Sequence, residues 1–92
     1  MIVGWTATAL RDLESLHGHI ADDSLSAAVD TVERILSGID ALSRHPEMGR
    51  KGRVAGTREL IVVPYAVAYR IRQSAIELTA IIHSARKWPD AF

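Results

Sequence analysis

The chain has 92 residues, enough for one domain and no more. Hydrophobic residues make up 48% and charged residues 24%, a balance that argues against disorder. The absence of cysteine excludes disulfides, thiolate chemistry and any zinc site that uses Cys. Eleven Lys+Arg cancel eleven Asp+Glu, but unevenly. Residues 1–43 hold two arginines against seven carboxylates, and residues 44–92 hold nine basic residues against four acidic ones. Such polarity suits an acidic or nucleic-acid-bearing partner for the second half, or else reflects two solvated faces. No apolar run approaches the ~18 residues of a membrane span. Met1 to Trp5 lack the basic start and cleavage site of a secretion signal, so a cytoplasmic protein is expected.

Residues 2–6 are short, apolar and β-prone, and predict a first strand. From Thr8 the period changes: Leu10, Leu13, Leu16 and Ile20 recur at helical spacing. Thr6 or Thr8 can cap this helix, and Asp12 and Glu14 fall near its first turns, where the dipole favours negative charge. Asp22-Asp23-Ser24 interrupts the pattern and offers new caps. A second helix runs over 25–43, with Ala28, Val32, Ile35, Leu36, Ile39 and Leu42 in one stripe, and Pro46 ends it. The short connection predicts an antiparallel helical hairpin.

Residues 44–57 read as a loop, rich in glycine and basic side chains. Beyond it, 58–63, 66–72 and 76–83 predict three strands with a break at Pro64-Tyr65. A turn at Gln73-Ser74 sets a hairpin in which Arg70 faces Glu77, with Val67, Tyr69 and Ile71 sharing a face with Ile76, Leu78 and Ala80. The tail, 84–92, reads as irregular. The expected fold is α+β, in the order β-α-α-β-β-β, with the hairpin on one face of a twisted antiparallel sheet. Its expected core holds Trp5, Leu13, Leu16, Ile20, Val32, Ile35, Ile39, Leu42, Leu60, Val62, Val67, Tyr69, Ile71, Leu78, Ala80 and Ile82.

Few residues suggest chemistry. His17 and His19 lie two apart on a helix and point apart, His45 neighbours a proline, and His83 ends a strand, so no metal site is expected. Gly49-Arg-Lys-Gly52 matches no phosphate-binding glycine motif, and no cofactor is expected. Ser84 follows His83, but neighbouring strand residues face opposite ways, which speaks against a Ser–His nucleophile. Arg50, Lys51, Arg53 and Arg58 crowd the glycine-rich loop and could grip phosphates or acidic side chains. His83, Arg86 and Trp88 form a second group. A His and an Arg can serve acid–base and phosphate chemistry, and Trp88 can stack a base or fold back over the sheet.

The ordered set of Trp5-Thr6, Ala9, Asp12-Leu13, Ala27-Ala28, Leu42 with His45-Pro46-Glu47-Met48-Gly49-Arg50, Gly52 to Leu60, Tyr65 to Ile71, and Ile82-His83 with Arg86 and Trp88-Pro89 resembles the ParE/RelE superfamily of type II toxin–antitoxin toxins. The resemblance spans almost all of residues 3–89. It implies the β-α-α-β-β-β fold and a plasmid-stabilisation or addiction-module toxin. It also implies a cognate ParD/RelB-like antitoxin whose acidic amphipathic tail would contact Arg50, Arg53 and Arg58. Such toxins either poison DNA gyrase, as ParE-like members do, or cut mRNA on the ribosome, as RelE-like members do. In the nucleases an arginine generally follows the tyrosine that opens the middle strand. That tyrosine resembles Tyr65 here, and Ala66 follows it. No tyrosine lies beyond Tyr69. The nuclease reading would rest on Arg58, His83 and Arg86, an incomplete set. The expectation is therefore a ParE-like gyrase poison that binds through Arg50, Lys51, Arg53, Arg58, Arg86 and Trp88, with the ribosome-dependent endoribonuclease as the alternative.

Overall fold

The computed structural model describes residues 1–92. Its elements are β1 (Ile2–Trp5), α1 (Ala7–Ala21), α2 (Leu25–Arg44), β2 (Arg50–Lys51), β3 (Arg58–Val62), β4 (Tyr65–Arg72) and β5 (Ala75–His83). They build one five-stranded sheet in the order β1-β5-β4-β3-β2. The two helices pack against each other, α1 over β5 and α2 reaching β3.

The helix boundaries follow from caps. The Thr6 hydroxyl accepts from the Ala9 N–H at 3.1 Å, and the Ser24 hydroxyl from the Ala27 N–H at 3.2 Å. Helix α2 ends at Arg44, just ahead of His45-Pro46, and a cation in the last turn suits the dipole. No acidic side chain occupies the first turn of α1. Asp12 instead reaches the sheet, where its carboxylate accepts the Ile81 N–H at 2.9 Å.

The α+β expectation holds, and the sheet is mixed rather than wholly antiparallel. Strands β2 to β5 form an antiparallel meander, while β1 runs parallel to β5, with Trp5 beside Leu78. Parallel pairing arises because the chain leaves β1 through two helices before it returns. The strand β2 falls within the stretch that reads as loop in the sequence.

Gln73 and Ser74 have φ of 46° and 66°, the conformation of a tight hairpin turn. Arg70 pairs with Glu77, as expected. Beyond Tyr69–Leu78 the register slips by one: Ala68 pairs with Ala80, and Thr79 has no partner. This bulge redirects the second half of β5. Ile81 therefore enters the core, while Ala80 is buried against the other face and Ile82 is not among the core residues. Ile71, beyond the helices' reach, is partly exposed. The core otherwise joins Leu16, Ile35, Ile39 and Leu42 to Val67, Tyr69, Ile76 and Leu78. Trp5, Leu13, Ile20, Val32, Leu60 and Val62 pack around its margin.

Candidate functional site

Cross-strand partners share a face of a sheet. Tyr69 belongs to the core beneath the helices, so Arg58, its partner on β3, and Lys51, the partner of Arg58 on β2, lie on the helix side. Ala68 lies on the opposite face, and with it Glu59 and Arg50. The four basic residues of 50–58 therefore form no single patch: the pleat distributes them to both faces.

On the face away from the helices, Glu59 is the organising residue. Its carboxylate has no solvent exposure. It accepts the Arg53 backbone N–H at 2.7 Å, the Arg50 guanidinium at 3.2 Å and the Arg53 Nε at 3.4 Å. Burial pushes its pKa up, but these donors and the two positive charges outweigh burial and hold it below the ordinary carboxylate value. Arg53 also donates to the Ser84 carbonyl at 3.1 Å, and its guanidinium lies 3.9 Å from the centre of the Trp88 ring. Trp88 packs edge-on against Phe92, and its indole N–H is buried without a partner. Arg50 and Arg53, two of the four residues that suggest an open phosphate grip, are thus tied to Glu59, and Arg53 with Trp88 straps the 84–92 tail onto the sheet.

On the helix side, Arg58 Nη1 donates to the Gly49 carbonyl at 2.7 Å and the Glu47 carbonyl at 3.2 Å. The Tyr69 hydroxyl donates to the Pro46 carbonyl at 2.7 Å and accepts the Gly49 N–H at 2.9 Å. Burial raises the pKa of this phenol. These bonds fix the 45–49 segment and with it the position of Arg58. Gly49 is required there, because an added Cβ would sit 2.5 Å from the Tyr69 hydroxyl and 2.9 Å from the Glu59 carbonyl oxygen.

His83 and Arg86 lie at the other end of the strands. His83 pairs with Tyr65, and the two rings meet edge-on at 5.5 Å. Its Nδ1 accepts the Ala85 N–H at 3.1 Å. His83 and Arg86 line a cleft of about 340 Å³ with Asp12, Ser15, His19 and Tyr65. Nothing in the sequence pattern sets His19 beside His83, since only the packing of α1 on β5 brings them to one cleft. Arg58, in contrast, pairs with Tyr69, four residues along β4 from Tyr65, which is roughly 13 Å of strand. Arg58 does not share a cleft with His83 and Arg86. No group of His, Cys, Asp and Glu is arranged to hold a metal ion, and no helix is long and apolar enough to cross a membrane.

A two-helix hairpin laid on a meander with a parallel first strand is the fold of toxins from toxin–antitoxin modules. Residues 3–88 match the family described as the ParE toxin of the type II toxin–antitoxin system parDE, and the chain belongs to that family. It is 38% identical over 89 residues to the putative toxin Y4kP of Sinorhizobium fredii, covering 95% of this chain and 92% of that one. It is 36% identical over 85 residues to toxin RelE2 of Caulobacter vibrioides, covering 91% and 96%. Among solved structures it resembles a chain of the chromosomal ParDE TA system of P. aeruginosa, with TM-score 0.78, 24% identity and coverage of 90% and 95%. It also resembles a chain of the toxin–antitoxin complex RelBE2 of Mycobacterium tuberculosis, with TM-score 0.59, 29% identity and coverage of 89% and 95%. The protein is a type II toxin of the ParE/RelE superfamily.

Proposed function

We propose that this toxin acts by binding rather than by cleaving, and that its target is DNA gyrase, the target that likeness to ParE implies. The observation that carries this reading is the separation of Arg58 from His83 and Arg86 along β4. In-line cleavage of RNA needs a base, an acid and a charge stabiliser within reach of one phosphate. Here the positioned guanidinium of Arg58 stands at one end of the sheet and the imidazole at the other. Arg50 and Arg53, the remaining candidates, are bound to Glu59.

The partner that controls the toxin is an antitoxin with an amphipathic, acidic segment. Support comes from the family's two-component system and from the RelBE2 neighbour, which is a toxin–antitoxin complex. The exposed Leu25, Val29 and Leu36 of α2 offer apolar positions for such a segment. Purified toxin added to gyrase should inhibit supercoiling, and its expression should induce a DNA-damage response. Ribosome-dependent mRNA cleavage without gyrase inhibition would overturn the reading.

A further inference from the structure

Strand β3 begins at Arg58, opposite Tyr69, so β4 continues past it with Arg70, Ile71 and Arg72 unpaired on that side. The step leaves a notch of about 420 Å³ lined by Lys51, Thr57, Arg58, Tyr69, Arg70 and Ile71. Because the notch wraps around the open edge of β4, it gathers cations from both faces of the sheet. No carboxylate lines it. Glu77 stands across the strand from Arg70, and the Glu47 carbonyl receives Arg58, yet none of Lys51, Arg58, Arg70 and Arg72 forms an ion pair. The arginines that do form ion pairs, Arg34, Arg44, Arg50 and Arg53, all lie outside the notch. Arg58 is pre-positioned by its two carbonyl bonds, which use only Nη1 and leave Nε and Nη2 without a protein partner.

The geometry points to a phosphodiester-binding notch: Lys51, Arg58 and Arg70 receive the backbone of a nucleic acid. Three cations that line one notch without an ion pair, one of them a guanidinium fixed by two carbonyl bonds, suit a phosphate backbone running along the open edge of β4, and the shallow lining offers no pocket for reading a base. Binding is therefore salt-dependent and indifferent to sequence. Under the proposed function the strand is gyrase-bound DNA; this choice rests on that reading, whereas the notch itself does not.

The test is fluorescence anisotropy with a labelled DNA duplex and a labelled single-stranded RNA of mixed sequence, titrated with purified toxin across a salt series. Poly-glutamate serves as the acidic-peptide competitor. Wild-type toxin should bind DNA. The double variant Lys51→Gln with Arg70→Gln should weaken binding about tenfold at low salt and lower the salt slope by about 1 for each cation removed. Arg44→Gln, at an exposed cation paired to Asp40 on α2, should change neither. Circular dichroism checks that each variant folds. Equal weakening by Arg44→Gln would mean diffuse charge and overturn the notch. So would the absence of binding to either nucleic acid, or displacement of the bound nucleic acid by poly-glutamate at matched charge. Binding confined to RNA would overturn the assignment to DNA while leaving the notch standing. DNA binding by a toxin that does not inhibit gyrase would overturn the proposed function while leaving the notch standing.

Discussion

Glu59 is a carboxylate without solvent exposure on a sheet face covered only by a loop and a tail. Its depressed pKa means that its ionised form contributes stability at neutral pH. That contribution is present above the unfolded carboxylate pKa and is lost as pH falls through the lower folded value. Glu59→Gln should cost about 2 kcal/mol at pH 7, less than the ~3–5 kcal/mol of a fully buried pair, because Arg50 and Arg53 remain partly in water. Urea unfolding at pH 7 and again near pH 3 checks this: the gap between wild type and variant should narrow in acid. Gly49 gives a second residue-scale prediction. Gly49→Ala must displace the Tyr69 hydroxyl or the β3 backbone, and should destabilise by about 1–3 kcal/mol through disruption of those buried hydrogen bonds. Tyr69→Phe in the same background should not rescue the variant, because the ring Cε1 still stands 2.7 Å from the added carbon and both hydroxyl hydrogen bonds are lost; the same urea titration measures it.

At the scale of elements, the bulge at Thr79 decides which side chains of β5 enter the core. Strand β1 ends at Trp5, beside Leu78, and beyond that point α1 takes over as neighbour of β5. The Thr6 hydroxyl donates to the Leu78 carbonyl at 2.8 Å, and Asp12 accepts the Ile81 N–H. Asp12→Ala should cost about 1–3 kcal/mol by orphaning that N–H, while Asp12→Asn, which keeps an acceptor, should cost less; thermal unfolding distinguishes them. These bonds explain what the sequence shows and what it hides. The caps, both helices and the Arg70–Glu77 register are legible because they depend on neighbouring residues. The bulge is not, since Ala80-Ile81-Ile82 is apolar throughout and fits either register, and only Thr6 and Asp12, far away in the chain, bond to the strand there. The direction of β1 and the two-residue β2 are hidden for the same reason: each is defined by its partner strand alone.

The whole molecule divides its functional residues differently from the sequence. Seven acidic residues fall in 1–43 and nine basic ones in 44–92, which correctly locates positive charge on the sheet half. Linear proximity suggests one grip of Arg50, Lys51, Arg53 and Arg58. The pleat instead binds two of them to Glu59 and places the other two beside Arg70, a residue whose sequence context suggests only a partner for Glu77. His83 and Arg86 adjoin His19 and Asp12 at the far end. Loss of one oriented charged donor typically slows a cleaving enzyme about 10²–10³-fold, so a nuclease depending on His83 or Arg86 would be crippled by their removal. A binding toxin would not need the imidazole. The most direct measurement is therefore inhibition of purified gyrase supercoiling by wild-type toxin and by His83→Gln, run beside a ribosome-dependent mRNA cleavage assay. Equal inhibition by the two proteins and no cleavage by either is the expected result. Intact supercoiling, with mRNA cleavage that disappears in His83→Gln, would contradict it.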